Sequence, residues 1–362
     1  MAAKISAHDE VESNRRAPTA TVDWHMAVRT SHKLIRPEPL MSSYTRDQVR
    51  RELVELSAFA EGPVREVTGL ADGLPVPQAS ILDRAGWAAA AAESLADLTG
   101  GSFHKRPKGL IAGRVSGAQA GAVLGFLSNA ILGQYDPFAE GGGSLLLVAP
   151  NIVATERAMK VSPRDFRTWV CLHEVTHRVQ FSATPWMADY MRELVDVMGT
   201  ETKQQWTKVA PRLAAAVQKN RRNEQENDDL FDRGIIALAL AAQPPEQRDA
   251  MMKLIILGTV LEGHAEHVMD AAGPTVVPTV DHIRRVFDQR RQRQQSPLQW
   301  IVRTLLGIDA KMAQYVQGKK FVDAVVSAVG MDKFNAIWTS PETLPTPAEI
   351  REPMAWVARV HG

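Results

Sequence analysis

Two histidines four residues apart, in the pentapeptide His173-Glu174-Val175-Thr176-His177, interrupt an otherwise apolar, helix-compatible segment that ends near Phe181. Residues four apart on an α-helix share a face, so the two imidazoles can each present a nitrogen to one tetrahedral ion. Glu174 falls about 100° round the helix from His173, near such an ion without displacing a ligand. There a carboxylate can take a proton from a zinc-bound water whose pKa the metal has lowered towards about 7. Phe166, Trp169 and Val170 continue the stripe of His173 and His177, which predicts that both imidazoles lie on the buried side of the helix. A buried histidine pair with an acid between them needs a compensating partner. The helix start is well specified: Ser162 as cap, Pro163 in the first turn and Asp165 at the positive end of the dipole.

Composition narrows the donor set. Cys171 is the only cysteine, which excludes internal disulfides and a thiolate cluster within one chain and leaves imidazole and carboxylate as ligands. Its position, about 200° round the helix from His173, reads as packing. The 42 basic and 41 acidic residues leave a net charge of +1, so no overall field points to nucleic acid, an acidic membrane or a polyanion. The only dense basic run, Arg284 to Gln295, has no interleaved aromatic residues. It reads as a solvated linker or helix face, and no nucleic-acid partner is expected.

Residues 1–21 read as a flexible or disordered lead-in without the apolar stretch of a signal peptide, so the expected location is cytoplasmic. The uncharged stretch Val115 to Tyr135 is long enough to span a bilayer. Ser116, Gln119, Ser128, Asn129 and Gln134 interrupt it, and it reads instead as a buried helix with close-packed small residues, with no membrane association. Helical patterns begin near Asp23-Trp24, return from Tyr44 to about Ala60 with Thr45 as cap, and run from Asp83 to Leu98 before Gly100-Gly101. Further helices are expected at about 186–198 and 202–220, followed by a polar, solvated segment from Asn220 to Asp229. Ser144 to Val148, between Gly141-Gly142-Gly143 and Pro150, is the clearest strand. The triple glycine precedes a strand and is not followed by Lys-Ser/Thr, unlike a phosphate-binding loop.

A third ligand is expected from another helix, and Glu262-Gly263-His264-Ala265-Glu266-His267 is the downstream cluster that can supply one. It closes the apolar stretch Met251 to Val260, where ionisable groups need a compensating charge. Glu262 and Glu266 share a face, while His264 points nearly opposite to Glu262 and His267 about 140° away. Glu262 follows Leu257, Gly258 and Leu261 on the buried approach, and Gly263 allows close contact, which favours Glu262 over Glu266, His264 and His267. If Glu262 binds, Glu266 one turn on is placed to accept a ring N–H of His173 or His177.

The pair His173-Glu174-x-x-His177 and Glu262-Gly263-x-x-Glu266 resembles the zincin metallopeptidases of the glutamate-ligand type. That resemblance implies that the first acid binds zinc and that the acid one turn later orients a ligand histidine. The latter is usually Asp and is Glu266 here, and the spacing between the motifs is longer than in many such enzymes. A narrower resemblance, to the bacterial zincin-like metallopeptidase type 2 family, is carried by these motifs together with Gly133-Gln134-Tyr135-Asp136, Val148-Ala149-Pro150-Asn151, Gln314-Tyr315-x-x-Gly318-x-x-Phe321-Val322 and Leu344-Pro345-Thr346. Some members of that family are named for an association with deazaflavin coenzyme biosynthesis. It implies one continuous domain over residues 22–362.

The expected fold is therefore mainly α (α+β), zincin-like, with a small β element beside the metal helix. One Zn2+ per chain is expected on His173, His177 and Glu262, with Glu174 as the catalytic base of amide hydrolysis. Peptides are the expected substrates, and Leu145 to Val148 is a candidate edge strand to receive them. Tyr315, His264 and His267 are candidate oxyanion stabilisers. The alternatives are a zincin-derived binding or scaffold protein, against which the retained Glu174 argues, and a hydrolase of a non-peptide amide or ester in coenzyme metabolism.

Overall fold

The computed structural model describes residues 22–99, 103, 110–139, 141–199, 244–292 and 308–362. The lead-in at 1–21, Gly100-Gly101, the helix expected at 202–220, the polar segment 220–229 and the end of the basic run beyond 292 lie outside the described residues. In chain order the elements are α1 (Trp24–Leu34), α2 (Ser43–Thr68), β1 (Ser80–Leu82), α3 (Arg84–Leu98), α4 (Leu110–Leu127), β2 (Gly133–Asp136) and β3 (Ser144–Val148). They continue with α5 (Ala149–Met159), α6 (Pro163–Ala183), α7 (Trp186–Gly199), α8 (Pro245–Val276), α9 (Val280–Gln292) and α10 (Ile308–Val329), then short helical turns to His361. No described helix is long and apolar enough to cross a membrane.

Helices dominate, and the sheet is small because only β3 carries a continuous apolar run. Leu145 and Leu147 face a core built on α2, α5 and α6, whereas Leu146 and Val148 face a second core containing Trp24, Trp87 and Leu124. A strand covered on both faces needs no polar alternation, which is why the sequence Ser-Leu-Leu-Leu-Val suits it. β3 is the central strand, parallel to β1 and antiparallel to β2. The edge role expected of Leu145 to Val148 is therefore excluded, because β1 and β2 already occupy both of its sides. A third core joins α7, α8, α10 and the C-terminal turns through Leu257, Val260, Phe321, Phe334 and Trp356.

Several boundaries differ from the sequence reading. The uncharged stretch from Val115 is a helix only to Leu127, and its last residues, Gly133 to Tyr135, belong to β2. The chain leaves the helix because Asn151 donates to the carbonyls of Ser128 (2.8 Å) and Ile131 (2.7 Å), while Arg84 donates to Asn151 Oδ1 (2.6 Å). Helix α2 is capped by Ser42, which accepts from Thr45 N at 3.1 Å, and runs through Pro63 because Val64 and Thr68 bury their side chains beyond it. Ser162 makes no side-chain capping bond to α6. Asp165 instead accepts from the Thr279 N–H (3.1 Å) and hydroxyl (2.5 Å), tying α6 to the start of α9.

The small residues of α4 do pack as expected. A Cβ on Gly117, Gly121 or Gly125 would fall 2.3, 2.2 or 2.8 Å from the carbonyl oxygens of Asp23, Ala27 and Ser31, so the stripe sets how close α1 can come. Gly121→Val is expected to lower unfolding free energy by about 1–3 kcal/mol through overpacking. Gly62→Ala, in an exposed turn of α2 with nothing within 4 Å of the added carbon, is expected to raise it by about 0.5–1 kcal/mol. Urea denaturation of both variants checks the pair.

Candidate metal centre

Helix α6 is buried nearly all round. From Phe166 to Gln180 every residue is buried except His173 and His177. The two imidazoles, only 19% and 14% exposed, turn inwards as the stripe predicts, to the side where α6 faces α8, while α2 packs on another side. Its charged residues are compensated locally: Arg167 pairs with Glu156 at 2.6 Å and with Glu52, and Arg178 donates to Glu61 (2.7 Å) and to the Pro77 carbonyl (2.7 Å). Cys171 is fully buried and burial pushes its thiol pKa up, in keeping with a packing role.

Facing the two imidazoles, α8 brings in Glu262. His173 Nε2 and His177 Nε2 are 3.3 Å apart, and Glu262 Oε2 lies 3.5 and 3.7 Å from them. Ligands about 2.0–2.2 Å from a tetrahedral zinc are separated by about 3.3–3.6 Å, so the three donors fit one ion as they stand. Electrostatics agree with the geometry. Burial alone would lower the His173 pKa, but the hydrogen bond it donates to Glu262 and the charges of Glu174, Glu262 and Glu266 outweigh it and push it up to about 9. Three carboxylates around one imidazole make a place for a cation. Among the described residues, His173, His177 and Glu262 are the one group that could hold a metal ion in this way.

Glu174 is buried against β2. A Cβ on Gly133 would meet Glu174 Cγ, Cδ and Oε1 at 2.7, 2.8 and 3.0 Å, so the strand approaches this carboxylate as closely as a glycine permits. Gly133 was legible in the sequence only as part of a resemblance. The β2–β3 register pairs Gly133 with Leu147 and Tyr135 with Leu145, and Val148 donates to the Leu132 carbonyl at 2.8 Å. Antiparallel alternation then turns the N–H and C=O of Gly133 and Tyr135 away from β3, towards the outer edge.

The other members of the downstream cluster are spread round α8. Glu266 Oε2 accepts from Arg284 (3.1 Å), whose other nitrogen pairs with Asp270 (2.6 Å), so part of the basic run is used inside the protein. The place beside a ligand ring nitrogen expected of Glu266 is taken at His177 by Gln180, whose Oε1 is 2.9 Å from His177 Nδ1. His267 Nδ1 bonds Asp323 (2.7 Å) on α10 and is not part of the His173, His177 and Glu262 group. His264 is fully buried between Phe334 and Trp338, and burial pushes its pKa down to about 3. Gly263 does allow a close contact, but with α10: its added Cβ would lie 2.2 Å from the Gly318 carbonyl carbon. Tyr315 falls within α10, and its side chain lies outside the described residues.

The family model described as zincin-like metallopeptidase matches residues 22–357. Among solved structures, the chain is similar to a protein from Chloroflexus aurantiacus described as a "putative hydrolase with a novel fold", at 31% identity and a TM-score of 0.66, over 93% of this chain and 98% of that one. None of the curated proteins matches.

A neutral buried His264 makes stability depend on acid. Its pKa is lower folded, about 3, than the ordinary value of 6.5. Between those values the unfolded chain binds the extra proton, so stability is complete above about 6.5 and falls as pH drops, by about 1.4 kcal/mol per pH unit for one proton. His264→Phe, which keeps the aromatic stack, is expected to flatten the pH dependence of urea unfolding in this window by about one proton.

Proposed function

The chain belongs to the zincin-like metallopeptidase family, and from that premise we propose that it is a zinc-dependent hydrolase of amide bonds whose substrates are peptides. One observation carries the reading: His173 Nε2, His177 Nε2 and Glu262 Oε2 lie 3.3–3.7 Å from one another, at the two least buried side chains of the run from Phe166 to Gln180. Three protein donors, with the fourth position of a tetrahedral ion left to water, are the pattern of catalytic rather than structural zinc. Zinc bound there would polarise the scissile carbonyl and acidify a water.

The remaining steps belong to the chain's own groups. Glu174 takes the proton that the attacking water loses and gives it to the leaving amine, so that it ends as the carboxylate it began as. Gly133 confines that carboxylate beside the ligands without adding it to them. An extended peptide pairing with the outward N–H and C=O of Gly133 and Tyr135 would run along the outer edge of β2 past Glu174, which supports peptide over other amides as the substrate class.

Purified protein is expected to carry about one zinc per chain, and His173→Ala, His177→Ala and Glu262→Ala to lose most of it, since three protein ligands are the usual minimum. Metal analysis showing full occupancy in these variants would reject the ligand set. Glu174→Gln is expected to keep zinc while peptide-library cleavage drops by about 10²- to 10⁴-fold; cleavage at the parent rate would remove Glu174 as the base. Gly133→Ala is expected to keep zinc and lower kcat, because its methyl group displaces the Glu174 carboxylate.

A further inference from the structure

The part played by Gln180 rests on the zinc site proposed above. Gln180 is fully buried one turn beyond His177. Its Nε2 lies 3.0 Å from the Leu261 carbonyl oxygen and 2.9 Å from His264 Nδ1, and its Oε1 lies 2.9 Å from His177 Nδ1. A main-chain carbonyl can only accept, so Leu261 decides which end of the amide is the NH2. The second hydrogen of that NH2 then meets His264 Nδ1, which must accept. Oε1 is left facing His177 Nδ1, which must be the N–H. The lone pair of a neutral His177 is thereby assigned to Nε2, the atom 3.3 Å from His173 Nε2 and 3.7 Å from Glu262 Oε2.

We propose that Gln180 is the positioning residue of the metal centre: read out from the Leu261 carbonyl, one amide sets the tautomer of His177 on α6 and fixes the α8 backbone immediately before Glu262. The choice of side chain follows from the roles. Histidine ligands commonly donate to a carboxylate or carbonyl, but Glu at this position could accept from His177 without donating to Leu261, leaving buried oxygens facing each other. Only an amide of this length supplies one acceptor and two donors together. Removing it unties two ligands on different helices at once, and breaking a saturated buried amide leaves its partners unsatisfied.

The test reads the ring protons directly. In metal-free protein labelled with 15N-histidine at pH 8, with His177 assigned by comparison with His177→Gln, nitrogen–proton correlation is expected to place the His177 proton on Nδ1. A His177 carrying its proton on Nε2 alone would overturn the proposal with no variant needed. Gln180→Met is expected to shift His177 towards the Nε2–H form that free imidazole favours, and to weaken zinc binding about 10- to 100-fold in competition with a chromophoric chelator. Gln180→Glu is expected to restore the Nδ1–H form while zinc stays weaker than in the parent, because the tie to Leu261 is missing. Parent-like zinc affinity in Gln180→Met would overturn the proposal. Failure of the parent itself to bind zinc would instead reject the ligand reading, and the tautomer measurement would still decide the part played by Gln180.

Discussion

Burying a polar helix is the constraint on which the rest of the structure depends. Helix α6 carries Arg167, His173, Glu174, His177, Arg178 and Gln180 within a segment that is almost wholly removed from solvent. Each such group costs free energy unless it is paired. Glu52, Glu61 and Glu156 supply the counter-charges on one side, from α2 and α5. On the other side α8 supplies Glu262, the Leu261 carbonyl and His264. The layers around α6 are thus arranged by its polar needs as much as by its apolar ones. The two side chains left partly open, His173 and His177, face the one place where a cation would complete the compensation.

The close approaches serve the same end. Gly133 lets β2 rest on Glu174, and Gly263 meets Gly318 where α8 crosses α10, fixing the helix that carries Glu262. The Asp323 carboxyl, although burial acts to raise its pKa, is held below the ordinary range by Lys319 and His267. Lys319 also pairs with Asp270 at 3.0 Å, and Asp270 with Arg284, so α8, α9 and α10 are laced together beside the centre. Precision at the three donors is a product of this surrounding frame rather than of the motif alone.

Much of the fold was legible. Helical periodicity located α1, α3, α6 and α7, and Ser144 to Val148 is a strand with the expected bounds. β1 and β2 were not, because three or four residues without alternation give no periodic signal. The end of α4 escaped for a different reason. Its uncharged sequence continues into β2, and the bonds that turn the chain come from Asn151, more than twenty residues further on. That α6 is enclosed on nearly all its faces from Phe166 to Gln180 was not legible either, because periodicity only compares one face of a helix with another.

By itself the sequence determined the chemistry available: two imidazoles at helical spacing, an acid between them, a lone cysteine that cannot act as a ligand cluster, and one downstream cluster of acids and histidines. Spacing along one helix is local geometry, and local geometry is written in the order of residues. Only the tertiary structure decided how that cluster is divided, turning Glu262 to the histidines, Glu266 to Arg284, His267 to Asp323 and His264 into an aromatic pocket. It also decided that β2, not β3, is the strand edge beside Glu174, and that Gln180 bridges α6 and α8. These are relations between elements distant in sequence, fixed by crossing angles and by the pairing of buried polar groups, and no single segment contains them.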